Sequence, residues 1–139
     1  MKNLKLLFFV LPLICISIAC ATETNDQNEQ KEDPAVEQTE VSVYYFHFER
    51  RCATCKAVES VSKEAISELY GDKVKFNALN LDDEEGKKTA ERLGVSGQAL
   101  LVIQGNKRTD LTTDAFMNAV NKPEELKKKL EKTIDPLAL

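Results

Sequence analysis

Apolar residues in this chain fall into short blocks whose internal spacing alternates between strand and helix periods. Val41-Ser42-Val43-Tyr44-Tyr45-Phe46-His47-Phe48 is β-branched or aromatic on both alternating sets, which suits a central strand covered on both faces. Beyond it, Val58, Val61, Ala65 and Leu69 recur at helical spacing with Lys and Glu on the other side, and Gly71 is a suitable stop. Val74 to Leu81 predicts a second strand, closed by Asp82-Asp83, and a polar helix follows from Glu84 to Leu93, ending at Gly94. Val95-Ser96-Gly97-Gln98 predicts a turn into the apolar strand Ala99 to Gln104. Gly105-Asn106 reads as a hairpin turn, although the usual order is Asn-Gly, with Lys107 to Leu111 as the returning edge strand. Asp114 is placed to cap a short helix holding Phe116 and Val120. Pro123, Glu124 and Glu125 suit the start of a last helix, Lys127-Lys128-Lys129 its later turns, and Leu126, Leu130 and Ile134 its buried stripe. The predicted order is βαβαββα, with one extra short helix before the C-terminal helix, in an α/β fold without internal repeats.

The N-terminal forty residues do not share this pattern. Lys2 and Lys5 precede a stretch, Leu6 to Ile18, that is apolar except for Ser17. It is too short for a comfortable membrane span and suits a secretory signal. It ends Ser17-Ile18-Ala19-Cys20, which resembles the lipobox of bacterial lipoproteins, with Ser17 where leucine is usual. The expectation is a lipoprotein signal peptide over 1–19 and a lipidated Cys20 as mature N-terminus. The alternatives are an ordinary secretory signal or an uncleaved anchor, with Cys20 incidental. Residues 21–40 are mostly Glu, Gln, Asn, Asp and Thr, so 20–40 reads as a lipidated, disordered tether and 41–139 as the folded domain. This organisation places the protein in a bacterial cell envelope, anchored to a membrane and facing the periplasm or exterior, a compartment that permits disulfides.

Charge narrows the partners. The chain has 139 residues, 19 of them basic and 23 acidic, for a net charge of −4. Loss of Lys2 and Lys5 with the signal makes the remainder more acidic, and no basic patch is large enough to hold nucleic acid. The folded part has room for one compact core.

Of the four cysteines, Cys15 leaves with the signal and Cys20 carries lipid on this reading, so Cys52 and Cys55 remain. Any intramolecular disulfide in the domain must then join these two. Cys52-Ala53-Thr54-Cys55 follows a predicted strand and opens a predicted helix. There the unpaired backbone N–H groups and the positive end of the helix dipole favour a thiolate at the first sulfur. A CxxC can also be half of a zinc site, and the strand before it and helix after it favour dithiol chemistry.

The strand–CxxC–helix unit, the stretch Leu79-Asn80-Leu81-Asp82 leading to a helix, and Gly94-Val95-Ser96-Gly97 before a strand together resemble the thioredoxin superfamily. The resemblance spans residues 41–134 and implies a thioredoxin-like three-layer sandwich. It implies that Cys52 is the exposed nucleophile and Cys55 the buried resolving thiol. It also implies that Gly97, Gln98 and Ala99 form a loop across from the sulfurs, offering backbone groups to a substrate chain. The chain departs from the pattern at three places. Ala99 stands where a cis-proline is usual, and because a cis peptide before any other residue costs about 3 kcal/mol, a trans loop is expected. Phe46 occupies the place of the buried acid of classical thioredoxins, and Arg51 that of an aromatic residue before the first cysteine.

Arg51, and less directly Arg50, are candidates to stabilise a Cys52 thiolate, or else are solvated loop charges. His47 is read as packed in the strand rather than as a ligand, Lys56 as a helix-surface charge, and Asp82 to Glu85 as a solvated loop and helix start. The resulting functional expectation is a membrane-tethered thiol–disulfide oxidoreductase. It would need no cofactor, only a protein disulfide or dithiol substrate and a redox partner that resets the pair. The alternatives are a soft-metal module holding copper on the two thiolates, or a non-catalytic binding module on the same fold.

Overall fold

A computed structural model describes residues 40–138; the expected signal, Cys20 and all of the tether but Glu40 lie outside the described residues. The elements are β1 (Val41–His47), α1 (Ala53–Tyr70), a 3-10 turn (Gly71–Lys73), β2 (Val74–Asn80), α2 (Glu84–Arg92), β3 (Ala99–Gln104), β4 (Lys107–Asp110), α3 (Thr112–Asn118) and α4 (Pro123–Ala138). The four strands form one sheet in the order β2-β1-β3-β4. β1 runs parallel to β2, from Val41 opposite Val74 to His47 opposite Asn80, and antiparallel to β3, with Phe46 opposite Ala99. β4 pairs antiparallel with β3 at the edge, and its four residues are all exposed.

The doubly apolar pattern of β1 has a direct structural cause. Val41, Val43 and Tyr45 point to one face, where they join Leu100 and Val102 from β3, Val58, Ala65 and Ile66 from α1, Ala115 from α3, and Leu126, Leu130 and Ile134 from α4. Phe46 points to the other face, into a smaller cluster with Ala99, Leu101, Leu81 and Ala90 of α2. The protein is therefore a three-layer α/β sandwich, with α1, α3 and α4 on one side of a mixed sheet and α2 on the other. Tyr45 and Phe46 are each wholly buried, and burial of such a side chain contributes about 1.5–3 kcal/mol. No described helix is long and apolar enough to cross a membrane.

Two glycines hold the layout for different reasons. Gly71 adopts φ 54° and ends α1, its N–H donating to the Ser67 carbonyl. Gly86, in the first turn of α2, lies so close to β2 that a Cβ there would sit 1.8 Å from the Asn80 carbonyl oxygen.

Three local expectations are corrected. Leu69 is 47 % exposed, because the α1 stripe turns through Ser62, Ala65 and Ile66 and leaves Leu69 outside it. Asp114 does not cap α3: the helix begins two residues earlier, and the carboxylate of Asp110 accepts the Thr112 N–H at 2.9 Å. Asp114 instead pairs with Lys129 at 3.4 Å. Val120 lies beyond α3 and is exposed, the buried positions there being Ala115 and Ala119.

Candidate active site

The site forms where β1 ends and α1 begins. Cys52 is the N-cap of α1, with extended backbone angles (φ −75°, ψ 172°), and its sulfur accepts the Cys55 N–H at 3.3 Å. A sulfur thus does what a Ser or Asp oxygen usually does at this position, and the preference is greater when it is charged. Cys52 is exposed and Cys55 is 3 % exposed. Their sulfurs lie 2.8 Å apart, well beyond the covalent length of about 2.05 Å, as two free thiols. One helical turn separates an outward sulfur from an inward one.

The Cys52 thiol is held below its ordinary range. The chief cause is its hydrogen bond with the Cys55 side chain, followed by the Cys55 N–H, with the Thr54 N–H adding to it. The cause is thus the helix start and the neighbouring thiol. Arg51, the residue expected from sequence to tune this sulfur, directs its guanidinium to the Glu59 carboxylate, two turns along α1. Arg50 and Lys56 are exposed.

Beneath the dithiol stands Tyr45, whose hydroxyl donates to the Cys55 carbonyl oxygen at 2.8 Å. Burial foremost, and then the Cys55 sulfur, push this phenol far above its ordinary value. The strand position facing the CxxC turn is therefore Tyr45, whereas Phe46 faces α2. β1 is apolar on both alternating sets, so its sequence carries no signal for which of the two faces the CxxC turn. His47, 8 % exposed, packs its ring 5.7 Å from that of Tyr45, with Nδ1 3.1 Å from the Phe48 carbonyl oxygen.

The turn before β3 closes the site. Gln98 donates from Nε2 to the Cys55 sulfur at 3.3 Å, a side-chain contact that no spacing in the sequence announces. Ala99 is fixed opposite Phe46, and Gly97 has open space where a Cβ would project. Sequence expectation put this loop across from the sulfurs for its backbone; the structure adds the Gln98 carboxamide. A second tie holds the rim, as the Glu49 N–H donates to Asp82 Oδ2 at 2.8 Å, joining the β1–α1 and β2–α2 loops. Among the described residues no cluster of three or more His, Cys, Asp and Glu side chains could hold a metal, so a soft metal would find two sulfurs here.

No family model and no curated protein sequence matches the chain. Solved structures do. Thioredoxin O2 from Arabidopsis thaliana, in its oxidized state, is similar with a TM-score of 0.51 and 19 % identity, over 73 % of this chain and 77 % of that one. A thioredoxin from Thermus thermophilus is similar at 18 % identity over 70 % of this chain and 79 % of that one, with a TM-score of 0.37. The chain has the thioredoxin-like fold, carrying a CxxC at the start of α1.

Proposed function

We propose that this protein is a thiol–disulfide oxidoreductase that exchanges disulfides with envelope proteins through Cys52 and Cys55. The observation that carries the reading is the division of labour at the start of α1: an exposed, N-capping sulfur with a depressed thiol titration, backed at 2.8 Å by a buried one. The Cys52 thiolate attacks one sulfur of a substrate disulfide. A Cys52–substrate bond forms, the substrate S–S bond breaks, and the departing sulfur leaves as a thiolate that water protonates. Cys55, having given its proton to solvent, then attacks Cys52 Sγ, and the second substrate sulfur leaves. The substrate gains two electrons and the Cys52–Cys55 pair is left as a disulfide, which a separate dithiol partner must reduce. Run backwards, the same steps oxidise a substrate dithiol.

The direction follows from the reduction potential of the pair: a value near about −270 mV makes a reductase and one near about −120 mV an oxidant. A lipid on Cys20 would hold the domain at a membrane, a reading supported by the lipobox-like Ser17-Ile18-Ala19-Cys20. Cys55→Ser tests the first step. Mixed disulfides with envelope proteins should accumulate in that variant and vanish in Cys52→Ser; equal trapping by both would reject the assignment of the nucleophile. Incorporation of labelled palmitate that is lost in Cys20→Ser tests the anchor.

A further inference from the structure

The two sulfurs of the site have different N–H donors. That of Cys52 is the Cys55 backbone amide at 3.3 Å, while that of Cys55 is the Gln98 side-chain amide at 3.3 Å. Cys55 is nearly inaccessible, so a thiolate formed there must find protein donors in place of water. The strand residue below it offers no base: the Tyr45 hydroxyl is spent as a donor on the Cys55 carbonyl. Gln98 is held in reach because the next residue, Ala99, is locked opposite Phe46 at the start of β3.

We propose that Gln98 is a catalytic residue of the resolving step, donating a hydrogen bond from its carboxamide to the Cys55 sulfur as that sulfur becomes a thiolate. The proposal rests on the disulfide-exchange reading above. In resolution, Cys55 Sγ loses its proton to solvent, bonds to Cys52 Sγ, and displaces the substrate sulfur with the electron pair of the broken bond. In the reverse reaction Cys55 is the leaving thiolate, so the same donor assists both directions. A neutral amide does this without titrating itself. The titratable groups facing Cys55 are Cys52 on its own helix and Tyr45 from β1. His47 packs beyond Tyr45 with its ring tilted, and the Arg51 charge is paired with Glu59.

An aromatic disulfide reagent that releases a coloured thiol separates the two steps on the intact protein. Attack by Cys52 releases one coloured thiol, and resolution by Cys55 releases the second. Gln98→Met, which keeps length but removes the donor, should slow the second release about tenfold at pH 7 and shift its pH profile upward by about one pH unit. Gln98→Glu, which sets a carboxylate against the same sulfur, should slow it further. In both variants the first release should stay within about twofold of wild type, since the Cys52 sulfur takes its N–H donors from the backbone at the start of α1. An unchanged second release in both variants would overturn the proposal, as would equal slowing of both releases, which signals a distorted loop. The reagent reads the sulfurs whether or not the protein turns over protein disulfides. A wild type inactive on proteins but biphasic here would reject the oxidoreductase reading and leave this hydrogen bond standing.

Discussion

The hydroxyl of Tyr45, on the central strand, donates to the carbonyl oxygen of Cys55 at 2.8 Å inside the protein, joining the sheet to the first turn of the helix that carries the dithiol. Because a buried neutral hydrogen bond is worth about 1 kcal/mol net, Tyr45→Phe should lower unfolding free energy by about that amount with an unchanged denaturant slope. Urea titration of both proteins reads the difference.

The same phenol sets an alkaline limit. Burial, then the Cys55 sulfur, raise its folded-state value above the ordinary 10.0, so the unfolded chain releases this proton first. Its contribution to stability is complete below pH 10 and is lost as pH rises above it, by about 1.4 kcal/mol per pH unit. Unfolding free energy measured from pH 9 to 11.5 should fall more steeply in wild type than in Tyr45→Phe.

Arg51 is committed to Glu59. A guanidinium acting directly on a sulfur about 4 Å away through water would be worth about 1 kcal/mol, or about 0.7 pH unit. With the charge taken up by Glu59, Arg51→Ala should shift the Cys52 alkylation midpoint by less than about 0.3 pH unit and cost up to about 1 kcal/mol of stability. In wild type that midpoint should lie below the 8.5 or so of a free thiol. Alkylation rate against pH settles both.

Gly86 and Gly97 should respond oppositely to alanine. A Cβ at Gly86 collides with the Asn80 backbone oxygen, so Gly86→Ala should destabilise by about 2 kcal/mol or more. A Cβ at Gly97 meets nothing within 4 Å, so Gly97→Ala should leave stability unchanged or raised by about 0.5 kcal/mol. If a substrate chain lies along that loop, Gly97→Ala should slow exchange with a protein disulfide more than with a small one.

The elements were legible because their signals are local. β3 runs from Ala99 to Gln104 as its apolar run predicts, and Leu126, Leu130 and Ile134 are the buried stripe of α4. Strand–CxxC–helix likewise placed Cys52 at a helix start, since the N-cap is itself the first cysteine of the dithiol. What escaped the sequence depends on which way a side chain points or on contacts across the fold. Tyr45 and Phe46 are neighbouring aromatic residues, both wholly buried, and only the pleat decides which one faces Cys55. Gln98 meets Cys55 across 43 residues of chain, and Glu59 claims Arg51 by helical geometry that charge counting overlooks. Leu69 failed for the opposite reason: helical spacing alone cannot say where a stripe of limited width ends.

Reduction of insulin disulfides by the purified domain, driven by an excess of small dithiol, tests the central claim most directly. Wild type should accelerate the reaction, Cys52→Ser should reduce it to the uncatalysed rate, and Cys55→Ser should stall after forming a mixed disulfide. A folded wild-type domain that gives no acceleration, or a Cys52→Ser variant that retains it, would contradict the assignment.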